Sequence, residues 1–170
     1  MYSMQKRSGN RRSVVAKLSL PPITRSVVYE HPPARVWRAL TDPDLLAGWL
    51  MRPVGFVPAI GTHFEFRADP APGFDGIVRC EVVECMPPSA DGHASLAYHW
   101  QGGPMKRPTL VRWTLAPMDT ANGVATRVDL SHSGFDGFDV LIARAVLGLG
   151  WRRLLVRQLR TALDALASTT

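Results

Sequence analysis

The sequence predicts an α+β domain in which a curved antiparallel sheet of about six or seven strands packs against one long C-terminal helix. Three observations predict this class. Two short amphipathic patterns follow the first β-rich run, between residues 31 and 50. Alternating runs then succeed one another from Thr62 to His132, with turn residues between them, which is typical of an antiparallel meander. The last element, from about Asp139 to Ala167, repeats apolar residues at three- and four-residue steps, as an amphipathic helix does.

Length and composition fit a single domain of this kind. The chain has 170 residues, of which 46% are hydrophobic and 20% charged. A domain of this size buries roughly 70% of the surface that its unfolded chain exposes. A hydrophobic core is therefore sufficient, and we expect no disulfide, metal or cofactor to be required for folding.

The positive charge is concentrated at the N-terminus. The net charge is +6, and residues 1–22 contain five basic residues and no acid, whereas the rest of the chain is nearly neutral. We interpret residues 1–22 as a disordered basic tail and residues 23–168 as one domain. Removal of residues 1–20 should then leave the melting temperature nearly unchanged. Because the charge does not belong to a folded face, we expect no nucleic-acid partner; a nucleic-acid arm and an organelle transit peptide are the weaker alternatives.

Two further patterns bear on the compartment. Neither a secretory hydrophobic segment nor a run of apolar residues long enough to span a membrane occurs in the chain. Cys80 and Cys85 are five residues apart in one predicted strand, so they should lie on opposite faces and form no disulfide. We therefore expect a cytoplasmic protein with reduced cysteines.

The elements before the meander can be placed from their local signals. Residues 23–30 form a β-rich run, and Pro32 and Pro33 then suit the first turn of a helix. A second helix should begin at Asp42 as N-cap, with Pro43 at its first position.

Side-chain alternation assigns an inward and an outward face to each predicted strand. The inward set contains Phe64, Phe66, Leu96, Tyr98, Trp100, Val111, Trp113, Leu115, Val128, Leu130 and His132. Glu84 would face inward together with Cys80 if no bulge intervenes in the strand. His63 and His99 should lie on the solvent-exposed faces of their strands. In the long helix, Gly148 and Gly150 favour a kink or late start near Gly150, and Asp136 and Asp139 are candidate caps.

Several segments resemble one known family. They are "VYEHPPARVWRALTDPDLLAGWL", "GFDG", "YHWQGG", "VRWTL", "HSGF" and the "GW" at residues 150–151. In this order they are similar to homologues of the activator of heat-shock protein 90 ATPase, within the START-like, helix-grip (SRPBCC) superfamily, over residues 23–167. The resemblance implies a cavity between the sheet and the long helix, open near the helix pair, and in many members a small hydrophobic ligand.

Candidate pocket residues follow from the inward aromatic set and this implied cavity. We expect the lining to be Trp49, Phe64, Phe66, Tyr98, Trp100, Trp113, His132, Phe135, Trp151 and Leu155. Two hypotheses remain open for His132. It is a structural residue that is hydrogen-bonded within the protein, or it is a polar group that forms a hydrogen bond with a bound ligand. Ser133 points to the opposite face from His132, so the pair is poorly placed for nucleophilic catalysis, and no catalytic or metal-ligating residue is assigned.

These inferences lead to a non-catalytic binding or carrier protein for a small hydrophobic or amphipathic molecule. The alternative is a stress-related, co-chaperone-like interaction module, with a chaperone or other protein as partner. A cyclase- or hydrolase-like enzyme is a third hypothesis, which the sequence supports least because no acid–base pair can be assembled from it. Either a monomer or a homodimer is compatible with the sequence.

Overall fold

The fold contains seven strands and a long C-terminal helix, as the sequence predicts. The structure, a computed structural model, describes residues 19–121, 123–137 and 140–168. The strands and the two short helices are β1 (Ile23–Tyr29), α1 (Pro33–Thr41), α2 (Pro43–Trp49), β2 (Arg52–Val54), β3 (His63–Arg67), β4 (Ile77–Met86), β5 (Ala94–Gly102), β6 (Thr109–Thr120) and β7 (Gly123–Ser133). The long helix comprises α3 (Leu141–Arg153), a π-helical segment (Leu154–Leu159) and α4 (Arg160–Ser168).

All seven strands form one antiparallel sheet in the order β1-β7-β6-β5-β4-β3-β2. The meander therefore runs from β2 to β7, and β1 returns to pair with β7. The short edge strand β2 was not predicted, because three residues are too few to show an alternation. One face of the sheet packs against the long helix and carries the core.

The helix pair is positioned by the predicted cap and by one indole. Asp42 Oδ1 accepts hydrogen bonds from the backbone N–H groups of Asp44 (3.0 Å) and Leu45 (3.4 Å). This confirms Asp42 as the N-cap of α2, with Pro43 following it. Trp49 Nε1 then donates to the carbonyl of Ala39 across 2.9 Å. Because both groups are buried, this bond fixes the angle between α1 and α2.

A β-bulge in β4 overturns two predicted side-chain directions. The register shifts between Val82 and Glu84, so the residues after the bulge face the opposite way from a regular strand. Glu84 therefore pairs with Arg112 on the outer face (2.9 Å) and does not join the inward set. Cys85 comes into register with inward-facing Leu96, on the same face as Cys80. Both cysteines are free thiols.

The long helix differs from prediction at its start and in its middle. Its N-cap is Val140, and no side chain caps it, so Asp136 does not have the predicted capping role; Asp139 lies outside the described residues. The helix continues through Gly150, and the irregularity occurs later, at the π-helical segment. There the hydroxyl of Tyr29 donates to the carbonyl of Leu155 across 2.7 Å. This buried bond satisfies a carbonyl in the widened turn.

Contacts to the domain begin four residues before the predicted boundary at residue 23. Ser19 forms a β-bridge with Asp136, and the N–H of Leu20 donates to the carbonyl of Phe135 across 2.9 Å. Arg144 Nε also donates to the carbonyl of Pro21 (2.8 Å). The domain therefore includes residues 19–22, and residues 1–18 lie outside the described part of the chain.

Candidate binding site

The ten candidate pocket residues lie together between the sheet and the long helix. Each is buried, with at most 4% of its surface exposed. The strands contribute the six inward side chains, α2 contributes Trp49, and the long helix contributes Trp151 and Leu155. Phe135, in the turn after β7, is fully buried beside His132, with 4.7 Å between ring centroids. Phe138 lies outside the described residues. We call these ten residues the aromatic cluster.

Ring contacts run through the aromatic cluster from the helix pair to the end of β7. Trp49 meets Trp113 edge-on at 6.0 Å between centroids, and Trp113 meets Trp151 edge-on at 5.6 Å. Trp151 then contacts Trp100 at 5.5 Å, and Trp100 contacts Phe66 at 5.7 Å. Edge-to-face contacts of this kind contribute about 0.5–1.5 kcal/mol each beyond the burial of area. The cluster is therefore a mutually packed unit in which one ring cannot move far without its neighbours.

The geometry defines the protonation state of His132. The Thr109 hydroxyl donates its one proton to the carbonyl of Trp100 (2.8 Å), so it accepts from His132 Nε2 at 2.7 Å. On the other side of the ring, Trp151 Nε1 donates to Nδ1 across 3.0 Å. The imidazole is thus neutral, with its proton on Nε2, and both nitrogens are bonded to the protein itself. This arrangement favours the structural hypothesis for His132.

The buried titratable groups are uncharged near neutral pH. Burial lowers the pKa of His132 from 6.5 to about 3. Burial also raises the pKa of the Tyr98 hydroxyl and of the Cys80 thiol far above their usual ranges. Tyr98 accepts a hydrogen bond from Trp113 Nε1 (3.0 Å), so its oxygen is also satisfied. The cluster therefore offers apolar contacts and fixed hydrogen bonds, and a group poised to exchange protons at neutral pH is not among these residues.

Sequence reasoning found the residues of the cluster but not all of the contacts of His132. Alternation places Phe64, Trp100 and Trp113 on the same inward face as His132, and of these Trp100 lies 5.9 Å from it between ring centroids. Phe135 and Trp151 are neighbours that had been assigned only to the lining. The partner Thr109 was missed, because a lone threonine at the start of a strand carries no signal of a buried acceptor. The pairing register of β5 and β6, which sets Thr109 opposite Trp100, could have indicated Thr109 as a partner of His132.

A second buried histidine was also missed. His31 Nε2 donates to Asp164 Oδ1 across 2.9 Å, and Arg35 Nη1 donates to His31 Nδ1 across 3.2 Å. The carbonyl of His31 accepts from the Thr126 hydroxyl at 2.7 Å. These bonds tie the start of α1 to α4 and to β7. The apolar repeat of the long helix does not include Asp164, so the sequence pattern gave no sign of this contact.

A groove lies on the protein surface between α2 and the C-terminal part of the long helix. Its volume is about 510 Å³, and its lining includes small and aliphatic residues. Asp44 stands on the α2 side and Arg157 on the helix side. The lining consists of Asp44, Leu45, Gly48, Arg157, Gln158, Thr161, Ala162, Ala165 and Leu166. Gly48 of the lining directly precedes Trp49 of the aromatic cluster in α2.

The outer face of the sheet carries polar groups that bind one another. Glu81 stands between His63 (4.0 Å) and His99 (3.4 Å) on neighbouring strands. Within the described residues, no group of three or more His, Cys, Asp or Glu side chains could hold a metal ion. A hollow of about 340 Å³ near Thr114 contains Arg25 and Arg112, which already bond to the Gly148 carbonyl and to Glu84. This face is therefore a weaker candidate site than the groove.

The comparisons with known proteins agree with this architecture. The family model described as "Activator of Hsp90 ATPase homolog 1-like protein" matches residues 30–164. None of the curated proteins matches the chain. Among the described residues, no helix is both long enough and apolar enough to cross a bilayer.

Several solved structures are similar to this chain. Protein MLL2253 from Mesorhizobium loti is 32% identical, with a TM-score of 0.64, over 84% of this chain and 97% of that one. The Aha1 dimer from Colwellia psychrerythraea is 20% identical, with a TM-score of 0.61, over 85% and 96% of the two chains. CalU16 from Micromonospora echinospora is 18% identical, with a TM-score of 0.55, over 89% and 92%. The last two likenesses concern the fold alone.

Proposed function

The chain belongs to the Activator of Hsp90 ATPase homolog 1-like family, and from that premise we propose that it is a non-catalytic binding protein for a small hydrophobic or amphipathic molecule. The molecule is held between the sheet and the long helix, and it reaches this space through the groove between α2 and the long helix. The single observation that carries the proposal is the groove between α2 and the long helix, whose lining residue Gly48 directly precedes Trp49 of the aromatic cluster in the chain.

The chemistry of the groove supports an amphipathic occupant. Leu45, Ala162 and Leu166 provide apolar contact, while Arg157 and Asp44 can each meet one polar end of a ligand at the margin. A groove of about 510 Å³ is within the range of small-molecule sites. Its helical wall includes Arg157 and Gln158 of the π-helical segment, and π-helical turns occur often at functional sites.

In this proposal the aromatic cluster is the inner wall of the site. A molecule that passes Trp49 must separate rings that contact each other, so uptake requires α2 to move relative to the long helix. The ring nitrogens of His132 and the indole nitrogens of Trp49, Trp113 and Trp151 are already hydrogen-bonded within the protein, so the ligand contributes apolar area rather than new hydrogen bonds there. The ten candidate pocket residues retain this role as part of the proposal.

Gly48 provides a direct test of the groove. A Cβ added at Gly48 meets no atom within 4 Å, so a larger side chain at this helical position extends into the groove without a backbone clash. We expect the wild type to bind the uncharged dye Nile red. We expect Gly48→Leu to weaken this binding about tenfold, because the leucine occupies ligand volume. Gly48→Ala is the matched control and should bind nearly as the wild type does.

Two results would overturn the proposal. The first is a wild type that neither binds Nile red nor retains any small molecule in native mass spectrometry. The second is equal dye binding by the wild type and Gly48→Leu, with circular dichroism showing that both are folded.

The family match also supports a second hypothesis, a stress-related and cytoplasmic co-chaperone-like module. A pull-down from the source organism with the wild type as bait tests it, and recovery of no chaperone would count against it. The Colwellia protein is a dimer, and we expect this chain to be a monomer or a homodimer, which sedimentation velocity distinguishes.

A further inference from the structure

The π-helical segment contributes two hydrogen-bond donors to the groove that the protein itself leaves unused. Arg157 is exposed, Gln158 is half-buried, and both line the groove between α2 and the long helix. Within the part of the chain that the structure describes, the Arg157 guanidinium and the Gln158 amide have no hydrogen-bond or ion-pair partner. The backbone at Arg157 is fixed, because its carbonyl accepts from the Thr161 hydroxyl across 3.0 Å and from the N–H of Arg160.

Other arginines of the long helix have a structural contact that Arg157 lacks. Arg144 Nε donates to the carbonyl of Pro21 across 2.8 Å. Arg160 donates to the carbonyl of Val28 across 3.3 Å. Both bonds hold the helix to the region of β1. Arg157 forms no bond of this kind among the described residues, so its guanidinium is free to bind an anion that enters the groove.

The second charged residue of the groove does not neutralise Arg157. Asp44 stands on the α2 side, and within the described residues neither its carboxylate nor the Arg157 guanidinium belongs to an ion pair. Asp44 lies in the first turn of α2, where the helix N-terminus favours a negative charge. The single acid between residues 141 and 168 is Asp164, which His31 engages. The helical wall of the groove is therefore positive, whereas the charge on the α2 wall is partly balanced by α2 itself.

The rest of the lining suits an apolar chain. Leu45, Ala162 and Leu166 provide aliphatic surface, and the space at Gly48 is open, because an added Cβ meets no atom within 4 Å. An unbranched hydrocarbon chain contacts such surface without burying a polar atom of its own. A guanidinium binds a carboxylate through two parallel hydrogen bonds, which is the strongest common arrangement for an anion of this shape. A carboxylate attached to an apolar chain thus matches both parts of the lining.

We propose that the groove binds an anionic amphiphile, namely a carboxylic acid with an unbranched apolar chain. The carboxylate accepts hydrogen bonds from the Arg157 guanidinium and the Gln158 amide, and the chain lies against the aliphatic part of the lining. Asp44 repels the carboxylate and so directs it towards the long helix. A cationic amphiphile is disfavoured, because its head group would meet the unpaired charge of Arg157. This inference rests on the proposed function, since it names the class of molecule that the proposed site takes.

Three ligands of equal chain length test the charge of the head group. Decanoate, decanol and decylamine are each titrated into the full chain by isothermal titration calorimetry, at neutral pH and below their micelle concentrations. We expect decanoate to bind about tenfold more tightly than decanol, and decylamine to bind more weakly than decanol. Added salt should weaken the binding of decanoate and leave that of decanol unchanged.

Arg157→Gln tests the residue itself. It should weaken the binding of decanoate about tenfold and change that of decanol less than about twofold, because only the carboxylate uses the guanidinium. The matched control is Arg152→Gln, which removes the same charge from an exposed position of the same helix outside the groove lining. This control should change the affinity for decanoate less than about twofold. Asp44→Asn should strengthen the binding of decanoate about twofold, because a like charge is removed.

Four outcomes would contradict the inference: no binding of decanoate, equal binding of decanoate and decanol, tighter binding of decylamine, or equal weakening by Arg157→Gln and Arg152→Gln. The three substituted positions are exposed, so circular dichroism of each variant should match the wild type. If Nile red still binds the wild type and Gly48→Leu still weakens that binding, the proposed function stands although this inference fails. If the dye and all three ligands fail to bind, both fail.

Discussion

Trp151 on the long helix donates a hydrogen bond from its indole Nε1 to Nδ1 of His132 on β7, across 3.0 Å. The bond is the first in a relay, because His132 Nε2 donates to Thr109 and Thr109 donates to the carbonyl of Trp100. The relay therefore joins the long helix to β7, β6 and β5 in the centre of the aromatic cluster. All of its side chains are buried, so each bond is made where water cannot replace it.

This relay predicts coupling between His132 and Trp151. We expect Trp151→Phe and His132→Phe each to lower the free energy of unfolding by about 2–3 kcal/mol, because each leaves a buried polar partner unsatisfied. The double variant should lose about 1 kcal/mol less than the sum of the two, since the shared bond is lost only once. Urea denaturation measures all three losses.

Trp37→Phe is the matched control for this cycle. Trp37 is only partly buried against the core, and its replacement should cost less than about 1 kcal/mol. Strict additivity of Trp151→Phe and His132→Phe would contradict a direct bond between the two side chains.

The depressed pKa of His132 predicts loss of stability in acid. The pKa of His132 is about 3 in the folded protein and 6.5 for a histidine exposed to water, so the unfolded chain binds more protons between these values. The contribution is fully present above pH 6.5 and is lost as the pH falls from 6.5 towards about 3. Each pH unit within this window should cost about 1.4 kcal/mol. Urea midpoints measured at several pH values test the slope.

A variant that cannot titrate isolates this effect. His132→Gln should flatten the acid slope, at the expense of lower stability at neutral pH. His63 lies on the exposed outer face of the sheet. The control His63→Gln should therefore show the same dependence of stability on pH as the wild type. An acid slope that persists unchanged in His132→Gln would assign it to other groups.

Tyr29 predicts a local effect on the π-helical segment. Burial raises the pKa of its hydroxyl above the usual range, so the hydroxyl keeps its proton and donates to the Leu155 carbonyl. We expect Tyr29→Phe to lower the free energy of unfolding by about 1–2 kcal/mol, because a buried carbonyl loses its donor. Hydrogen exchange should accelerate first between residues 154 and 163. A uniform acceleration over all slowly exchanging amides would argue against a local role for this bond.

Strand alternation was enough to predict which side chains of the aromatic cluster face inward from the sheet. Phe64, Trp100 and His132 are inward because a strand with charged residues at alternate positions can bury only the other set. The same logic failed at Glu84, where one extra residue in β4 reverses every later side chain. A bulge depends on the pairing of two strands, so the pattern of one strand alone does not contain it.

The long helix shows a second limit of sequence reasoning. Its buried stripe was predicted correctly at Trp151, Leu155 and Leu159, because three- and four-residue steps hold for both the α-helical and the π-helical turns. The π-helical segment receives a tertiary hydrogen bond from Tyr29, more than a hundred residues earlier in the chain, and a local pattern does not contain such a contact. The exposed positions of Ile142, Val146 and Leu149 on α3 were missed, because apolar residues on both sides of a helix look like one broad core stripe.

The "GFDG" segment predicts a sharp difference between two glycines. Gly76 has φ +83°, and a Cβ there would lie 2.5 Å from the carbonyl oxygen of Ala68, which leads into the same loop. Gly61 has nearly the same φ (+84°), but a Cβ there meets nothing within 4 Å. We expect Gly61→Ala to cost about 1 kcal/mol from backbone strain, and Gly76→Ala to cost about 3 kcal/mol because a clash is added.

Urea denaturation of the two variants measures the difference directly. Equal losses would mean that the loop at residues 68–76 relaxes to admit the methyl group. Because the Ala68 N–H also donates to the Gly76 carbonyl, such relaxation would have to break a hydrogen bond that closes the loop.

Stepwise truncation of the N-terminus locates the point at which the chain begins to stabilise the domain. We expect removal of residues 1–18 to leave the melting temperature unchanged within about 1 °C, because the bridge and hydrogen bonds that the structure describes for this segment are formed by residues 19–21. Removal of residues 1–21 should lower it by about 3 °C or more, since the backbone bond from Leu20 to Phe135 and the bond from Arg144 to Pro21 are both lost. Differential scanning calorimetry of the two truncated chains and the full chain measures the shifts. Because Phe135 packs on His132, the longer truncation should also weaken packing at the end of the aromatic cluster. Equal melting temperatures for all three chains would contradict a stabilising role for the bond from Leu20 to Phe135.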